Sequence, residues 1–280
     1  MTARLDFIYI GTPKAGSTWM FEALRHHPDV QLFPSKASKF FETDEPGPIA
    51  DYEAQLASFE GTGKIGEISH DAYLYPHNAE LLRQHFPDVK IIICLREPGD
   101  FARSLVLWLR AHTRDYGDTA QQMMDHPKLR SWMNYAEGLA PFFEAFPREQ
   151  IKVLFFEDFK ADPAQFYRHI CTHIGVSHEW VPQSLTEVVN PARAPRFALF
   201  TETVYKVGVV TRALGLGGLV EAAKRWKLLE ALLYAPSKSV DIGQHEVARS
   251  ERERAAGWLN KLEQLIDTRV PVRWRDKVTP

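Results

Sequence analysis

The stretch YIGTPKAGSTWMFEAL, residues 9–24, reads as a β-strand, a glycine-containing loop and a helix in succession. Its loop nearly matches the phosphate-cradling pattern G-x-x-x-x-G-K-[ST], in which backbone amides at a helix N-terminus surround phosphate oxygens. The two glycines, Gly11 and Gly16, have the required spacing, but Ser17 stands where the pattern has lysine. The lysine is Lys14, inside the loop. The stretch therefore predicts an anion site with a displaced cation.

Two hydroxyls follow the loop and favour the same interpretation. Ser17 and Thr18 can cap the helix and donate hydrogen bonds to a bound oxyanion. The alternative is a glycine turn before a capped helix, with no ligand. The combination of strand, loop, helix, lysine and two hydroxyls favours the anion site.

The rest of the chain alternates strand and helix patterns. Strand patterns lie at residues 29–33, 64–70, 89–97 and 151–159, and helix patterns at 17–28, 101–112 and 163–175. Such alternation predicts an α/β protein, a P-loop-type three-layer sandwich with a central, mostly parallel sheet flanked by helices. The chemically interesting residues come just after strands, where ligands bind in such sheets.

Composition narrows the functional classes. The chain has 280 residues, 45% of them hydrophobic, and a formal net charge of −2, so no strongly basic field indicates nucleic-acid binding. Cys94 and Cys171 lie in apolar surroundings and are expected to be buried free thiols. We expect no signal peptide at the N-terminus, no membrane span and a cytoplasmic location. Peripheral membrane contact and the oligomeric state stay open.

One domain over residues 1–280 is expected, with three less regular subregions at about 34–62, 110–135 and 190–240. These subregions are expected to form an acceptor pocket. Aromatic residues in or next to these subregions that suit such a pocket are Phe40, Phe41, Trp108, Trp132, Tyr135, Phe197 and Tyr205. Residues 219–234 predict an amphipathic helix, which either packs on the core or lies on a lipid-like surface.

A second anion motif follows the apolar strand at 89–95. Arg96 comes directly after this strand, and Ser104 lies eight residues later on the following helix, with Arg103 beside it. A guanidinium can fork two oxygens of one phosphate while the hydroxyl donates to a third. A structural ion pair is the simpler alternative for an isolated arginine.

These two motifs resemble those of sulfotransferases that use 3′-phosphoadenosine-5′-phosphosulfate (PAPS). TPKAGSTW at residues 12–19 resembles their 5′-phosphosulfate loop, and REPGDFARS at 96–104 is similar to their 3′-phosphate motif. Weaker similarity to the bacterial and heparan-sulfate-type branches covers most of the chain. It includes residues 27–42, 65–76, 148–163 and 258–274.

The resemblance implies a role for the displaced lysine. Lys14 would donate to the bridging oxygen of the phosphate–sulfate anhydride, with Ser17 restraining or sharing it, and no metal would be required. Arg96 and Ser104 would hold the 3′-phosphate of PAPS and of its product, 3′-phosphoadenosine 5′-phosphate (PAP). The donor-binding residues implied in this way are Thr12, Pro13, Lys14, Ala15, Gly16, Ser17, Thr18, Trp19, Arg96 and Ser104.

The general base is ambiguous. In the heparan-type branch a glutamate precedes a paired aromatic motif, but Ala37 occupies that place here. A histidine after a strand serves in the cytosolic branch, which makes His70 the first choice, oriented by Asp71. Glu67 is the second candidate and Glu42 the third. The alternatives are a strand-end histidine without a chemical role and a structural carboxylate.

Further cations can serve the acceptor side or the donor. Lys36 can hold the transferring sulfate or an acidic acceptor, and Arg193, Arg196, Arg252 and Arg254 can reach the 3′-phosphate or an anionic acceptor. The acceptor itself is expected to be a hydroxyl or amine of a glycan, glycolipid or small metabolite.

Two rival functions remain. Glu157 and Asp158 follow an apolar strand and, with Thr18, can hold magnesium as in a P-loop kinase. A catalytically inert nucleotide-binding module is the second rival, suggested by Ala37.

Overall fold

The protein is described by a computed structural model over residues 3–34, 36–112, 116–117, 119–182, 193–195, 234–236 and 244–276. Its strands are β1 (Phe7–Gly11), β2 (Val30–Leu32), β3 (Lys64–Ile68), β4 (Lys90–Leu95), β5 (Ile151–Phe155), β6 (Arg193–Pro195) and β7 (Tyr234–Pro236). Its first helices are α1 (Ser17–Leu24), α2 (Ile49–Ala57), α3 (His77–His85), α4 (Pro98–His112), α5 (Ala120–Asp125) and α6 (Pro127–Met133). They are followed by α7 (Tyr135–Ala145), α8 (Phe156–Ala161), α9 (Pro163–Ile174), α10 (Gln244–Ile266) and α11 (Arg273–Asp276). Short 3-10 turns lie at Ala72–Leu74 and Arg148–Gln150.

Five strands form one parallel sheet in the order β2-β3-β1-β4-β5, and β6 pairs with β7 in a separate antiparallel ribbon. The chain leaves β1 towards one side of the sheet and returns to β4 on the other. β1 is therefore a topological switch point, where ligands of open α/β sheets bind beyond the carboxyl ends of the strands.

The two faces of the sheet are buried under helices. Ile8 and Ile10 of β1 belong to one apolar cluster, with side chains of α3, α4, α7 and α10. Phe7 and Tyr9 belong to the other, with side chains of α1 and α9. Because neighbouring strand residues point to opposite faces, this alternation is what a sheet between two helical layers requires. The predicted fold class is confirmed.

Several element boundaries differ from the sequence prediction. The strand predicted over 151–159 ends at Phe155, and helix α8 begins at the next residue. Glu157 and Asp158 lie in the first turn of α8, where negative charge stabilises a helix N-terminus. Helix α4 begins at Pro98, three residues earlier than predicted, because proline suits a first helical turn. The irregular stretches contain α2, α5 and α6.

The cysteines and the lengths of the helices can also be compared with the sequence predictions. Cys94 and Cys171 are buried free thiols, as predicted. Among the described helices, none has the length and apolar character needed to cross a membrane. Outside the described residues lie most of the subregion 190–240, including Arg196, Phe197 and Tyr205. Of the helix predicted over 219–234, only Tyr234 is described, and it begins β7.

Candidate active site

The glycine loop joins β1 to α1 at the carboxyl edge of the sheet. Gly16 is the N-cap of α1 in the left-handed conformation (φ 93°), which glycine adopts without strain. Gly11 also has positive φ, and an added Cβ would lie 2.4 Å from the Tyr73 ring. Ser17 and Thr18 do not cap the helix, contrary to the sequence prediction, because they occupy its first two positions.

The loop is anchored to the neighbouring strand. Both the amide and the hydroxyl of Thr12 donate to the Cys94 carbonyl of β4, each at 3.0 Å. The Tyr9 hydroxyl donates to the Thr12 carbonyl at 2.8 Å. Thr12, Pro13 and Ala15 are buried, and the Trp19 ring packs on Phe159. These contacts hold the loop in place from behind.

Lys14 is the displaced cation of the loop. Its backbone has φ 61°, a left-handed conformation that costs energy for a side chain of this kind. Burial lowers the pKa of Lys14 to about 8, and the nearby Arg96 charge adds to this effect. The ammonium group lies 5.9 Å from the centre of the Trp108 ring. The site therefore holds a partly desolvated cation that a bound anion would stabilise.

Lys36 is a second cation at the start of α1. Its Nζ donates to the Ser17 hydroxyl at 2.9 Å and lies 3.4 Å from the Thr18 hydroxyl. Burial lowers the pKa of Lys36 to about 8, although the charges of Glu42 and Asp71 act in the opposite direction. The structure thus brings Lys36 to the end of the glycine loop.

Arg96 links the second motif to the first. Its Nη1 donates to the Lys14 carbonyl at 2.7 Å, and its guanidinium carbon lies 4.8 Å from the centre of the Phe156 ring. The Tyr135 hydroxyl donates to the Arg96 carbonyl at 2.9 Å. The buried Arg96 Nε has no hydrogen-bond partner. A guanidinium with a spare buried donor is suited to an oxyanion.

The remaining residues of the second motif lie on α4. Ser104 is half-buried in its second turn, and Arg103 is exposed and forms an ion pair of 3.6 Å with Asp100.

His70 lies between two carboxylates. Its Nδ1 is 2.9 Å from Glu42 Oε1, and its Nε2 is 2.9 Å from Asp71 Oδ1. Burial acts to lower the pKa of His70, but the two carboxylates outweigh burial and raise it above 6.5. Burial acts to raise the pKa of Glu42, but His70 and Lys39 lower it to about 2. Among the described residues, these three side chains are the group with metal-ligand spacing.

Glu67 lies on β3 and is fully buried. It accepts hydrogen bonds from the Ser38 amide and hydroxyl at 3.1 and 2.9 Å and from the Tyr52 hydroxyl at 2.8 Å. Burial raises the pKa of Glu67 to about 7, although these donors oppose the shift. The geometry makes Glu67 an anchor for the segment that carries Lys36 and Glu42.

The acidic pair Glu157 and Asp158 follows β5, which is not adjacent in the sheet to β1, the strand that precedes the glycine loop. β4 lies between β1 and β5, and β4 is followed by Arg96. Glu157 accepts from the Trp274 indole at 3.1 Å and pairs with Arg273 at 2.6 Å. A carboxylate engaged in this way binds the C-terminal segment.

Sequence reasoning missed two features of the site. The contact of Lys36 with Ser17 joins residues 19 positions apart, and no local pattern indicates it. The Ser38 and Tyr52 donors to Glu67 were also missed. One available signal was the buried polar strand residue itself, since a fully enclosed carboxylate requires donors.

Residues 70–180 match the model of the sulfotransferase family (Sulfotransfer_3). A sulfotransferase from Alicyclobacillus acidocaldarius has a similar structure, with 24% identity, a TM-score of 0.65, and 98% of this chain and 99% of that chain covered. The predicted resemblance to the sulfotransferases is therefore confirmed. No curated protein matches this chain in sequence.

Two other solved sulfotransferase structures are less similar to this chain. Mouse sulfotransferase SULT7A1, complexed with PAP, has 18% identity and a TM-score of 0.47, with 65% of this chain and 61% of that chain covered. The sulfotransferase domain of the Synechococcus PCC 7002 olefin synthase has 16% identity and a TM-score of 0.49, with 68% and 82% covered.

Proposed function

We propose that this protein transfers a sulfuryl group from PAPS to a hydroxyl or amine of a glycan, glycolipid or small metabolite. The observation that carries the proposal is the junction of the two anion motifs at adjacent strand ends. Arg96, after β4, hydrogen-bonds the backbone of Lys14, in the loop after β1. A nucleotide with phosphates on both the 3′ and the 5′ oxygens of its ribose suits two cationic sites joined in this way. The match of residues 70–180 to the sulfotransferase family supports the same donor.

The proposed mechanism is positioning and electrostatic stabilisation. PAPS supplies a phosphate–sulfate anhydride whose bridging oxygen gains negative charge as the sulfuryl group leaves. Lys14 donates to that oxygen, and the amides of residues 15–18 with the Thr18 hydroxyl hold the 5′-phosphate. Lys36, which hydrogen-bonds to the Ser17 hydroxyl, neutralises the charge of the sulfuryl group during its transfer. Arg96 and Ser104 hold the 3′-phosphate.

We propose His70 as the general base, oriented by Glu42. Glu42 faces Nδ1, which leaves Nε2 to take the proton from the acceptor once the acceptor displaces Asp71 from that nitrogen. An orienting carboxylate behind an imidazole is a recurrent arrangement for this task. Glu67 is a weaker candidate because its oxygens already accept from Ser38 and Tyr52.

The deciding experiment is nucleotide binding by calorimetry with a chelator present and then with magnesium. We expect PAP to bind in both conditions and ATP to bind much more weakly. Magnesium-dependent ATP binding with no PAP binding would instead support a kinase. The position of Glu157 and Asp158 beyond an intervening strand argues against that function.

Turnover separates the enzyme from an inert module. PAPS is supplied with a panel of phenols, amines, sugars and glycolipids, and PAP release is measured. Release that depends on an acceptor supports the proposal, whereas PAP binding without release on any acceptor supports the inert module. Neither outcome depends on the oligomeric state of the protein or on peripheral contact with a membrane.

A further inference from the structure

An ion pair joins helix α10 to Glu97, the residue that follows Arg96 in the second anion motif. Arg252 of α10 contacts Glu97 through two hydrogen bonds, Nε to Oε1 at 2.9 Å and Nη2 to Oε2 at 3.1 Å. Glu97 is fully buried, and the Arg252 side chain is 16% exposed. Such a bidentate pair is shielded from solvent and from salt.

Glu97 also occupies the N-terminus of α4. Its carboxylate accepts from the amides of Gly99 at 3.0 Å and Asp100 at 2.8 Å. These amides are the donors that a helix N-terminus would otherwise offer to an anion. The motif proposed to bind the 3′-phosphate therefore contains a buried negative charge next to its arginine.

The cations around this motif balance its acidic groups. Asp100 has Arg103 at 3.6 Å and Arg252 at 3.8 Å, and Glu157, whose carboxylate lies 3.4 Å from the Glu97 amide, has Arg273 at 2.6 Å. Among the described residues, the cation that pairs with Glu97 is Arg252. Removing that cation would leave an uncompensated charge that repels a nearby phosphate.

We propose that Arg252 determines the preference for a 3′-phosphorylated nucleotide by neutralising Glu97, without contacting the nucleotide. This inference rests on the proposed donor. Arg252 was a sequence candidate for direct phosphate contact, and its engagement with Glu97 assigns it a positioning and electrostatic role. The preference is measurable as the ratio of the dissociation constants of AMP, which lacks the 3′-phosphate, and PAP.

The test compares this ratio in the wild type, Arg252→Gln, Arg252→Lys and the double variant Glu97→Gln/Arg252→Gln. We expect Arg252→Gln to lower the ratio at least about tenfold. The lysine variant keeps the charge and the double variant removes both charges, so both should keep most of the preference. Arg249→Gln on the same helix is the control, because its pair with Glu253 is exposed.

Two outcomes would overturn the inference. One is an unchanged ratio in folded Arg252→Gln, and the other is an equal loss in Arg252→Lys, which would indicate a structural contact. If Arg252→Gln does not fold, Glu97→Gln alone decides, since it should keep or increase the preference, and a decrease contradicts the inference. A wild type that does not prefer PAP over AMP would contradict the proposed function instead.

Discussion

Lys14 and Lys36 are two partly buried cations near the first turn of α1, and burial lowers the pKa of each to about 8. In the described part of the structure, neither ammonium group hydrogen-bonds to or pairs with a carboxylate, although the charges of Glu42 and Asp71 act on Lys36. Lys36 instead donates to the Ser17 hydroxyl. A partly buried cation with no carboxylate in contact is costly unless an anion binds there. The surroundings of Lys14 and Lys36 thus support the proposal that an anion binds there.

Lys14→Ala should reduce kcat by about 100-fold or more while changing the dissociation constant of PAP by less than about threefold. The reason is that the bridging oxygen gains its charge only in the transition state. Steady-state kinetics and calorimetry on the same preparation measure the two effects. Lys128→Ala, an exposed substitution on α6, is the control. Equal losses in kcat and affinity would contradict the proposed role of Lys14.

The pH profile of kcat/KM should be bell-shaped, because one group must lose a proton and another must keep one. The proposed base, His70, must be neutral to accept a proton, and its pKa lies above 6.5, so activity should rise with pH through a value above 6.5. The role proposed for Lys14 requires a protonated ammonium group, so activity should fall above about pH 8.

His70→Gln should lower kcat by about 100-fold or more and remove the acidic limb of this profile, while PAP still binds. His178→Gln, at an exposed position, should leave both limbs in place. A retained acidic limb in His70→Gln would transfer the base function to Glu67 or Glu42.

At the scale of elements, α10 packs closely against the start of α4. A Cβ added at Gly99 would lie 2.6 Å from the Ala248 carbonyl oxygen and 2.7 Å from the Arg252 guanidinium. This close approach allows Arg252 to reach Glu97. The glycine after the strand is therefore a packing requirement of the second anion motif.

Gly99→Ala should lower the free energy of unfolding by about 1–3 kcal/mol, because backbone of α10 must shift. Gly257→Ala is a matched control within α10, where an added Cβ meets no atom within 4 Å. That substitution should raise stability by about 0.5–1 kcal/mol through helix propensity. Urea denaturation measures both. A neutral Gly99→Ala would show that α10 does not need this approach.

At the scale of the whole molecule, His173 connects α9 to the sheet. Its Nε2 lies 3.1 Å from the Ile91 carbonyl of β4. Burial lowers the pKa of His173 to about 4, and the charges of Lys90 and Lys152 act in the same direction, although hydrogen bonding opposes them. The folded protein therefore keeps this imidazole neutral where α9 packs against the sheet.

His173 should make stability depend on pH between about 6.5 and 4. Because its folded pKa lies below the unfolded value, its contribution is complete above pH 6.5 and is lost as pH falls. His173→Gln should remove about 1 kcal/mol of the loss between pH 7 and 5, allowing for solvent screening of a partly exposed ring. Urea midpoints at the two pH values measure it. The same slope in wild type and variant would contradict this assignment.

The sequence by itself determined the layered fold, the loop and the two anion motifs. Apolar runs such as residues 91–95 are local signals of buried parallel strands, and Gly16 needs a conformation that glycine adopts freely. We expect the functional residues to follow strands. This expectation requires only that the five strands are parallel, so that their carboxyl ends lie at one edge of the sheet. Their parallel order supports it.

Only the tertiary structure decided which side chains meet at those strand ends. Three contacts join segments that are 19 to 155 residues apart. They are those of Lys36 with Ser17, Glu42 with His70 and Arg252 with Glu97. Such contacts depend on how loops and helices pack, and periodicity carries no information about them. For the same reason Glu67 and His70, three residues apart in sequence, have different surroundings, one enclosed by Tyr52 and Ser38 and the other between two carboxylates.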